Sequence, residues 1–184
     1  MKITLEKLKG WKACYWSDYG RRLNAKCEYV EDMLPATPLE VLEWDIPIAD
    51  KLWVVLREEL IPVRDLHLLA CDFADSVLHI FEEQCPDDKA PRKAIATKRL
   101  WIDGLATDEE LSAARALADV SASFSDSAIA AAAAAARASV SDSAFAAAAA
   151  SASAAALYSA LYLEQKTQLL LQLDMVWKVL ERLA

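Results

Sequence analysis

The sequence predicts an all-α fold, because turn-forming residues are few and helix formers are concentrated. The only glycines are Gly10, Gly20 and Gly104, and the last proline is Pro91, so tight hairpin turns have few places to form. About half of the residues from Ala113 to Ala160 are alanine, the strongest intrinsic helix former. We therefore expect one compact multi-helix domain of 184 residues, in which the Ala-rich C-terminal helices pack closely.

Composition divides this single domain into three parts. A smaller N-terminal segment covers residues 1–46, core helices cover 47–104, and the Ala-rich helical part covers 105–184. The charges of Lys2, Glu6 and Lys7 interrupt the start of the chain, where a secretory signal needs an apolar run. We expect a soluble protein of the cytoplasm. The four cysteines have no CxxC spacing and are expected to be reduced and mostly buried: Cys14, Cys27, Cys71 and Cys85.

Helix starts in the first half are marked by proline. Thr37 followed by Pro38 and Glu40 is typical of an N-cap with proline in the first turn. A second helix is predicted from Ile48 to Leu60, and a third from Val63 to Gln84. The third is the predicted central core helix, because apolar residues form a broad stripe at helical spacing: Leu66, Leu69, Ala70, Phe73, Val77, Ile80 and Phe81.

Further signals mark the helices that follow. A helix is predicted from about Pro91 to Gly104, where glycine suits a left-handed C-cap. Thr107 and Glu110 are spaced as a capping box, which starts the next helix. A Ser-Asp-Ser unit recurs after sixteen residues. Since serine and aspartate favour helix starts, breaks are predicted near 121–125 and 139–141.

The last helix is predicted from about Ala144 to Leu183 and ends in a coiled-coil-like pattern. Its apolar residues alternate in steps of four and three: Leu169, Leu173, Val176, Leu180 and Leu183. The pattern lasts about two heptads, so it favours packing in the core of the same chain. A homodimer through Leu169, Leu173, Val176 and Leu180 is the alternative.

Side chains that could bind a metal or act in acid/base catalysis lie on the central helix. His67, Cys71, Asp75 and His79 recur every four residues, and each type can bind a metal, but they span about 18 Å along the axis. We therefore predict no metal site and no cofactor. Asp72, Asp75 and His79 also suit an acid/base cluster, although surface charge explains them equally. With no phosphate loop, HExxH or GxSxG motif, the sequence predicts a protein that is not an enzyme.

Charge is the main candidate for a binding determinant. Residues 28–88 contain sixteen Asp/Glu against three Lys/Arg, within a chain of net charge −8. Such a block repels nucleic acid but attracts a basic protein. No membrane contact is expected, because no segment has eighteen uninterrupted strongly apolar residues. A merely solvated acidic surface is the alternative interpretation. The candidate partner-binding residues are Glu28, Glu31, Asp32, Glu40, Glu43, Asp45, Glu58, Glu59, Asp87 and Asp88.

Several short motifs together resemble a known family. They are Ala70-Cys71-Asp72, Phe81-Glu82, Pro86-Asp87-Asp88, Pro91-Arg92-Lys93-Ala94-Ile95, Arg99-Leu100-Trp101, Gly104 and Ala113-Ala114-Arg115. The chain resembles the putative immunity protein family of bacterial and phage genomes, over about residues 50–160. Its Ser-rich tail and its last helix depart from the family pattern.

The resemblance implies a non-enzymatic protein that binds and inhibits an effector. The expected target is a nucleic-acid-handling toxin or a phage-defence nuclease, the latter in the manner of an anti-CRISPR protein. The alternatives are immunity to a toxin that is not a nuclease, or a structural and oligomerisation role. The resemblance implies no catalytic residues in this sequence. No direct contact with nucleic acid is expected.

Overall fold

The computed structural model describes residues 2–11, 33–123, 136, 138–140 and 165–184. Within these residues the all-α prediction is confirmed, and the β contribution is one isolated bridge between Ile3 and Ala36. The described helices are α1 (Leu5–Gly10), α2 (Pro38–Glu43), α3 (Ile48–Val55), α4 (Val63–Gln84), α5 (Ala90–Ile102), α6 (Asp108–Ser123) and α7 (Gln165–Leu183).

Helix α4 is central, as predicted, and it belongs to two hydrophobic cores. Its N-terminal half packs with α1, α2, α3 and α7, and there Leu66 and Phe73 are fully buried. Its C-terminal half packs with α5 and Ala136, around the buried Val77 and Phe81. A third cluster joins α5 to α6 and includes Val140. The long apolar stripe of α4 is broad because it faces neighbours on more than one side.

Helix α5 runs antiparallel to α4, and ion pairs mark the register along their length. Moving along α5 from its start to its end, the partners on α4 move from its end to its start. The pairs are Arg92 with Glu82, Arg99 with Asp72 and Asp75, and, just past the end of α5, Asp103 with Arg64. Helix α6 then packs on α5, so that α5 lies between α4 and α6.

The N-cap predicted at Thr37 is a full capping box, and the capping box predicted at Thr107 is present. The Thr37 backbone N–H donates to Glu40 Oε2 at 2.6 Å, while the Glu40 N–H donates to Thr37 Oγ1 at 3.3 Å. Thr107 and Glu110 make the same reciprocal pair at 2.8 and 3.2 Å. Each box satisfies two backbone groups that a helix start otherwise leaves to water. Helices α2 and α6 therefore begin where the sequence predicts.

The prediction of a helix from Ile48 to Leu60 is wrong at its end, because α3 stops at Val55. Leu56 adopts φ −77° and ψ 64°, outside the helical region, and tight turns follow through Leu60. Leu56 and Ile61 are nevertheless buried. Burial of these side chains thus determines the backbone path here more strongly than helical propensity does.

Gly104 closes α5 with the left-handed conformation that the sequence predicts, at φ 72°. Its N–H donates to Trp101 O at 3.0 Å, and the Leu105 N–H donates to Leu100 O at 2.8 Å. This pair of bonds is the Schellman motif, which satisfies the last carbonyls of a helix.

Replacing Gly104 with alanine is expected to lower the free energy of unfolding by about 1–2 kcal/mol, the cost of a left-handed backbone for a residue with a Cβ. The Cβ itself would meet no atom within 4 Å, so the loss comes from the backbone alone. Urea unfolding measures it. Gly104→Asn, which tolerates this conformation better, should lose less; equal losses for both variants would contradict this origin.

The Ala-rich region is described only in part. Helical residues 138 and 139 give way to a turn at Val140, inside the break predicted near 139–141. Residues 121–123 are still helical, so the described part of the break predicted near 121–125 shows no break. The rest of that segment and the predicted start of the last helix near Ala144 lie outside the described residues. Helix α7 is described from Gln165 onward.

The predicted homodimer seam is occupied within the same chain. Val176 and Leu180 are buried, and Leu169 and Leu173 pack against the same core as α1, α2 and α3. The buried Val176 and Leu180 are therefore unavailable to a second copy, and the structure shows the packing within the same chain that the pattern favours. Among the described residues, no helix combines the length and apolar character needed to cross a membrane.

Candidate protein-binding surface

The acidic candidates fall into two separate places. Glu28, Glu31 and Asp32 lie outside the described residues. Around the first core, five others lie on or after α2 and between α3 and α4; we call them the N-terminal acidic surface: Glu40, Glu43, Asp45, Glu58 and Glu59. Asp87 and Asp88 follow the end of α4. The 22 residues of α4 extend for about 33 Å, so these two groups cannot form one patch.

Helix α1 connects the part of the N-terminal acidic surface on and after α2 with the part between α3 and α4. At its start, Ile3 pairs with Ala36 just before α2. At its end, Trp11 Nε1 donates to Glu59 Oε1 at 3.2 Å. Glu40 and Glu59 therefore flank the two ends of a six-residue helix, about 9 Å long. A spacing of this order fits inside one ordinary protein–protein interface.

The carboxylates of this surface differ in whether they form hydrogen bonds within the fold. Glu40 is engaged in its capping box, and the hydrogen bond from the Thr37 backbone lowers the pKa of its carboxyl group. Glu59 accepts from Trp11. Within the described part of the chain, the exposed carboxylates of Glu43 and Glu58 form no hydrogen bond or ion pair. They are free to meet a partner.

Other acids of the block hold helices together. Asp72 and Asp75 both accept from Arg99 Nη2, at 2.8 and 2.6 Å. Burial lowers the pKa of Arg99, but the hydrogen bonds to these two carboxylates raise it by more, and the net shift is upward. Arg182 on α7 binds Asp65 on α4. Roughly half of the acidic block therefore serves the fold, which the count of charges alone does not reveal.

A buried arginine lies beneath the N-terminal acidic surface, and the sequence analysis did not identify it. Arg57 is 8% exposed, and its guanidinium carbon lies 3.8 Å from the ring centre of Trp53 and 5.0 Å from that of Trp11. Burial lowers its pKa, while the aromatic faces stabilise the cation. The residue thereby fixes the loop that carries Glu58 and Glu59. The available signal was Trp53, four residues before Arg57.

The residues considered for metal or acid/base chemistry are separated by their surroundings. His67 and Cys71 are buried, His79 is exposed, and Asp75 is bound by Arg99. In the described ranges, no group of three His, Cys, Asp or Glu side chains is placed to hold a metal ion. Asp72 and Asp75 both form ion pairs with Arg99, so their carboxylates are poorly suited to accept and release protons.

Cys71 is expected to resist alkylation in the folded protein. It is fully buried, and burial raises its pKa to about 12, so the reactive thiolate is scarce at pH 8. Iodoacetamide labelling followed by peptide mass mapping should leave Cys71 unmodified in buffer and modify it in urea. Cys85, which is partly exposed, is the internal control. Equal labelling of the two in buffer would contradict the buried placement.

Trp101 is the point at which three helices meet. Its ring lies edge-on to His67 of α4, with centroids 5.4 Å apart. Lys98 Nζ lies 3.8 Å from its centre, although Lys98 is fully buried. The indole Nε1 donates to Asp108 Oδ1 of α6 at 2.7 Å. Trp101 belongs to one of the sequence motifs, but the motif alone does not indicate this role.

An open cleft of about 500 Å³ lies beside this tryptophan. Helix α6 forms one side, and the turn at Val140 contributes to the other. The lining residues are Trp101, Asp108, Leu111, Ser112, Arg115 and Val140. Its volume is in the range of ligand-binding pockets, and it combines apolar walls with groups of both charges.

Comparison with family models decides the identity. The model of the Imm-5 like putative immunity protein matches residues 59–179, which is more than half of the chain. The chain belongs to this family. Membership as an Imm-5 like protein indicates an immunity role through binding of a protein partner, and such proteins are generally not enzymes. Searches of curated proteins and of solved structures found no match.

The motif residues of this Imm-5 like chain are mostly structural. Asp72 and Arg99 connect α4 to α5, Trp101 connects α5 to α6, and Gly104 ends α5. They fix the positions of the elements around the cleft. Arg115, the last residue of the motifs, differs from them because it points into the cleft and is exposed.

Proposed function

We propose that this protein is the antidote of a toxin–immunity pair and binds a basic, nucleic-acid-handling toxin through the N-terminal acidic surface. The observation that carries the proposal is the pair of exposed carboxylates of Glu43 and Glu58, which form no ion pair or hydrogen bond with the described residues. The family supports an inhibitory role, and the net charge of −8 supports a basic target.

The proposed mechanism is occlusion of the surface on which the toxin binds its substrate. An enzyme that handles nucleic acid carries Lys and Arg where the phosphates bind. Exposed carboxylates attract that surface, speed association and orient the encounter. Apolar and hydrogen-bonded contacts then slow the dissociation of the complex. A phage-defence nuclease presents the same type of basic surface, so it is the second target class for the same carboxylates.

A growth assay with genomic neighbours tests the proposal. Each open reading frame beside the gene is expressed with and without this protein in a sensitive host. We expect one neighbour to arrest growth alone and to be harmless in the presence of this protein, with DNA or RNA degradation as the toxic effect. Arrest without nucleic-acid damage would identify a non-nuclease toxin and reject the nuclease target. Absence of any rescued toxin would reject the toxin–immunity proposal.

Charge reversal then tests the surface. The double variant Glu43→Lys/Glu58→Lys should slow association with the rescued toxin about tenfold or more at low salt, because steering depends on complementary charge. Glu83→Lys/Asp87→Lys changes the net charge equally at the far end of α4, and both residues are exposed. This control should associate almost normally. Equal slowing by the two double variants would assign the effect to net charge and reject the surface.

A further inference from the structure

Arg115 is the basic motif residue that lines the cleft. Within the part of the chain that the structure describes, its guanidinium forms no ion pair or hydrogen bond, and the residue is exposed. Three other motif residues bind neighbouring helices: Arg92, Arg99 and Trp101. An exposed arginine that lines a cleft and forms no such bond is available to a ligand.

The cleft places donors and apolar surface around Arg115. Ser112 lies three residues earlier on α6, hence on the same face of the helix. Trp101, Leu111 and Val140 provide the apolar walls. Asp108 also lines the cleft, and its Oδ1 accepts the indole N–H of Trp101. The donors that the cleft offers to a ligand are the Arg115 guanidinium and the Ser112 hydroxyl.

We propose that the cleft binds a segment of the protein partner in which an apolar side chain stands beside an acidic one. The carboxylate binds the Arg115 guanidinium, which suits it geometrically because the two can share two parallel hydrogen bonds, and Ser112 donates to the same group. The apolar side chain lies against Trp101, Leu111 and Val140. This contact rests on the proposed function and adds a second, oppositely charged determinant to the same partner.

Charge complementarity favours a single carboxylate over a nucleic-acid strand. Asp108, Glu109 and Glu110 form the exposed first turn of α6, at one end of the cleft. A strand of phosphates that bound Arg115 would bring several negative charges near these three carboxylates, whereas an acidic side chain brings only one. The repulsion is therefore larger for a nucleic-acid strand than for a single carboxylate.

Peptide binding followed by NMR tests the proposal on the full chain. The probes are acetyl-leucyl-glutamate amide and the neutral acetyl-leucyl-glutamine amide, with ¹⁵N-labelled protein. The indole N–H signal of Trp101, assigned by its loss in Trp101→Phe, should shift saturably. The glutamate peptide should bind about fivefold more tightly than the glutamine peptide, as for a well-formed exposed ion pair.

Matched variants locate the contact. Arg115→Gln should remove the difference between the two peptides without changing the free energy of unfolding, because the residue makes no contact that holds the fold. Lys93→Gln, an exposed cation of α5, should leave both affinities unchanged. Any one of three results would overturn the proposal: equal binding of the two peptides, an unchanged NMR signal of Trp101, or Arg115-dependent binding of a short oligothymidylate. Growth rescue is measured separately, so a failed cleft and a failed immunity role are told apart.

Discussion

Replacing Trp101 with alanine is expected to lower the free energy of unfolding by about 3 kcal/mol, at the lower end of the range for large aromatic truncations. The side chain is only half-buried, but its loss also removes the hydrogen bond to Asp108 and the aromatic face above buried Lys98. A buried cation that loses a stabilising neighbour is costly. Urea unfolding monitored by circular dichroism measures the change.

Two further variants separate the contributions. Trp101→Phe keeps an aromatic face but loses the N–H donor, so it should cost about 1 kcal/mol. Combining Trp101→Ala with Lys98→Met removes the cation together with its aromatic partner, and the double variant should be more stable than the sum of the single changes predicts. Strict additivity would show that Lys98 does not depend on Trp101.

Val176→Asp is expected to destabilise the protein by about 3–5 kcal/mol, the range found when a charge is left buried without a partner. Val176 is fully buried in the core formed by α7 with the N-terminal helices. Because the contact lies within one chain, the variant should lose structure at every protein concentration. Far-UV circular dichroism and size-exclusion chromatography at several concentrations measure it.

The neighbouring position Lys178 gives the control for this substitution. Lys178 is exposed and pairs with Asp174 one turn earlier, so Lys178→Asp should cost well under 1 kcal/mol. If Val176 instead lay in a dimer seam, Val176→Asp would yield a folded monomer with nearly full helicity. That result would restore the homodimer interpretation.

Local signals in the sequence predict much of this fold. The capping boxes at Thr37 and Thr107, the left-handed Gly104 and the bounds of α4 all follow from residue types that act within one or two turns of the chain. The end of α3 does not, because Leu56 leaves the helix in order to be buried, and burial depends on segments distant in sequence.

The candidate site was harder to predict, for a related reason. A count of Asp and Glu cannot distinguish Asp72, which binds Arg99, from Glu43, which remains exposed. Nor can it show that the length of α4 separates Asp87 from Glu58. The cleft at Arg115 depends on the meeting of α5, α6 and Val140, a tertiary arrangement for which no short motif gives a signal.

The ion pairs between α4 and α5 have a consequence for alignment. They are largely exposed at Arg64 and Arg92, and exposed pairs contribute little to stability. A slip of α5 by one helical turn would, however, move every arginine by about 5.4 Å and break all of the pairs at once. Their main effect is therefore to disfavour packings in which the two helices are out of register.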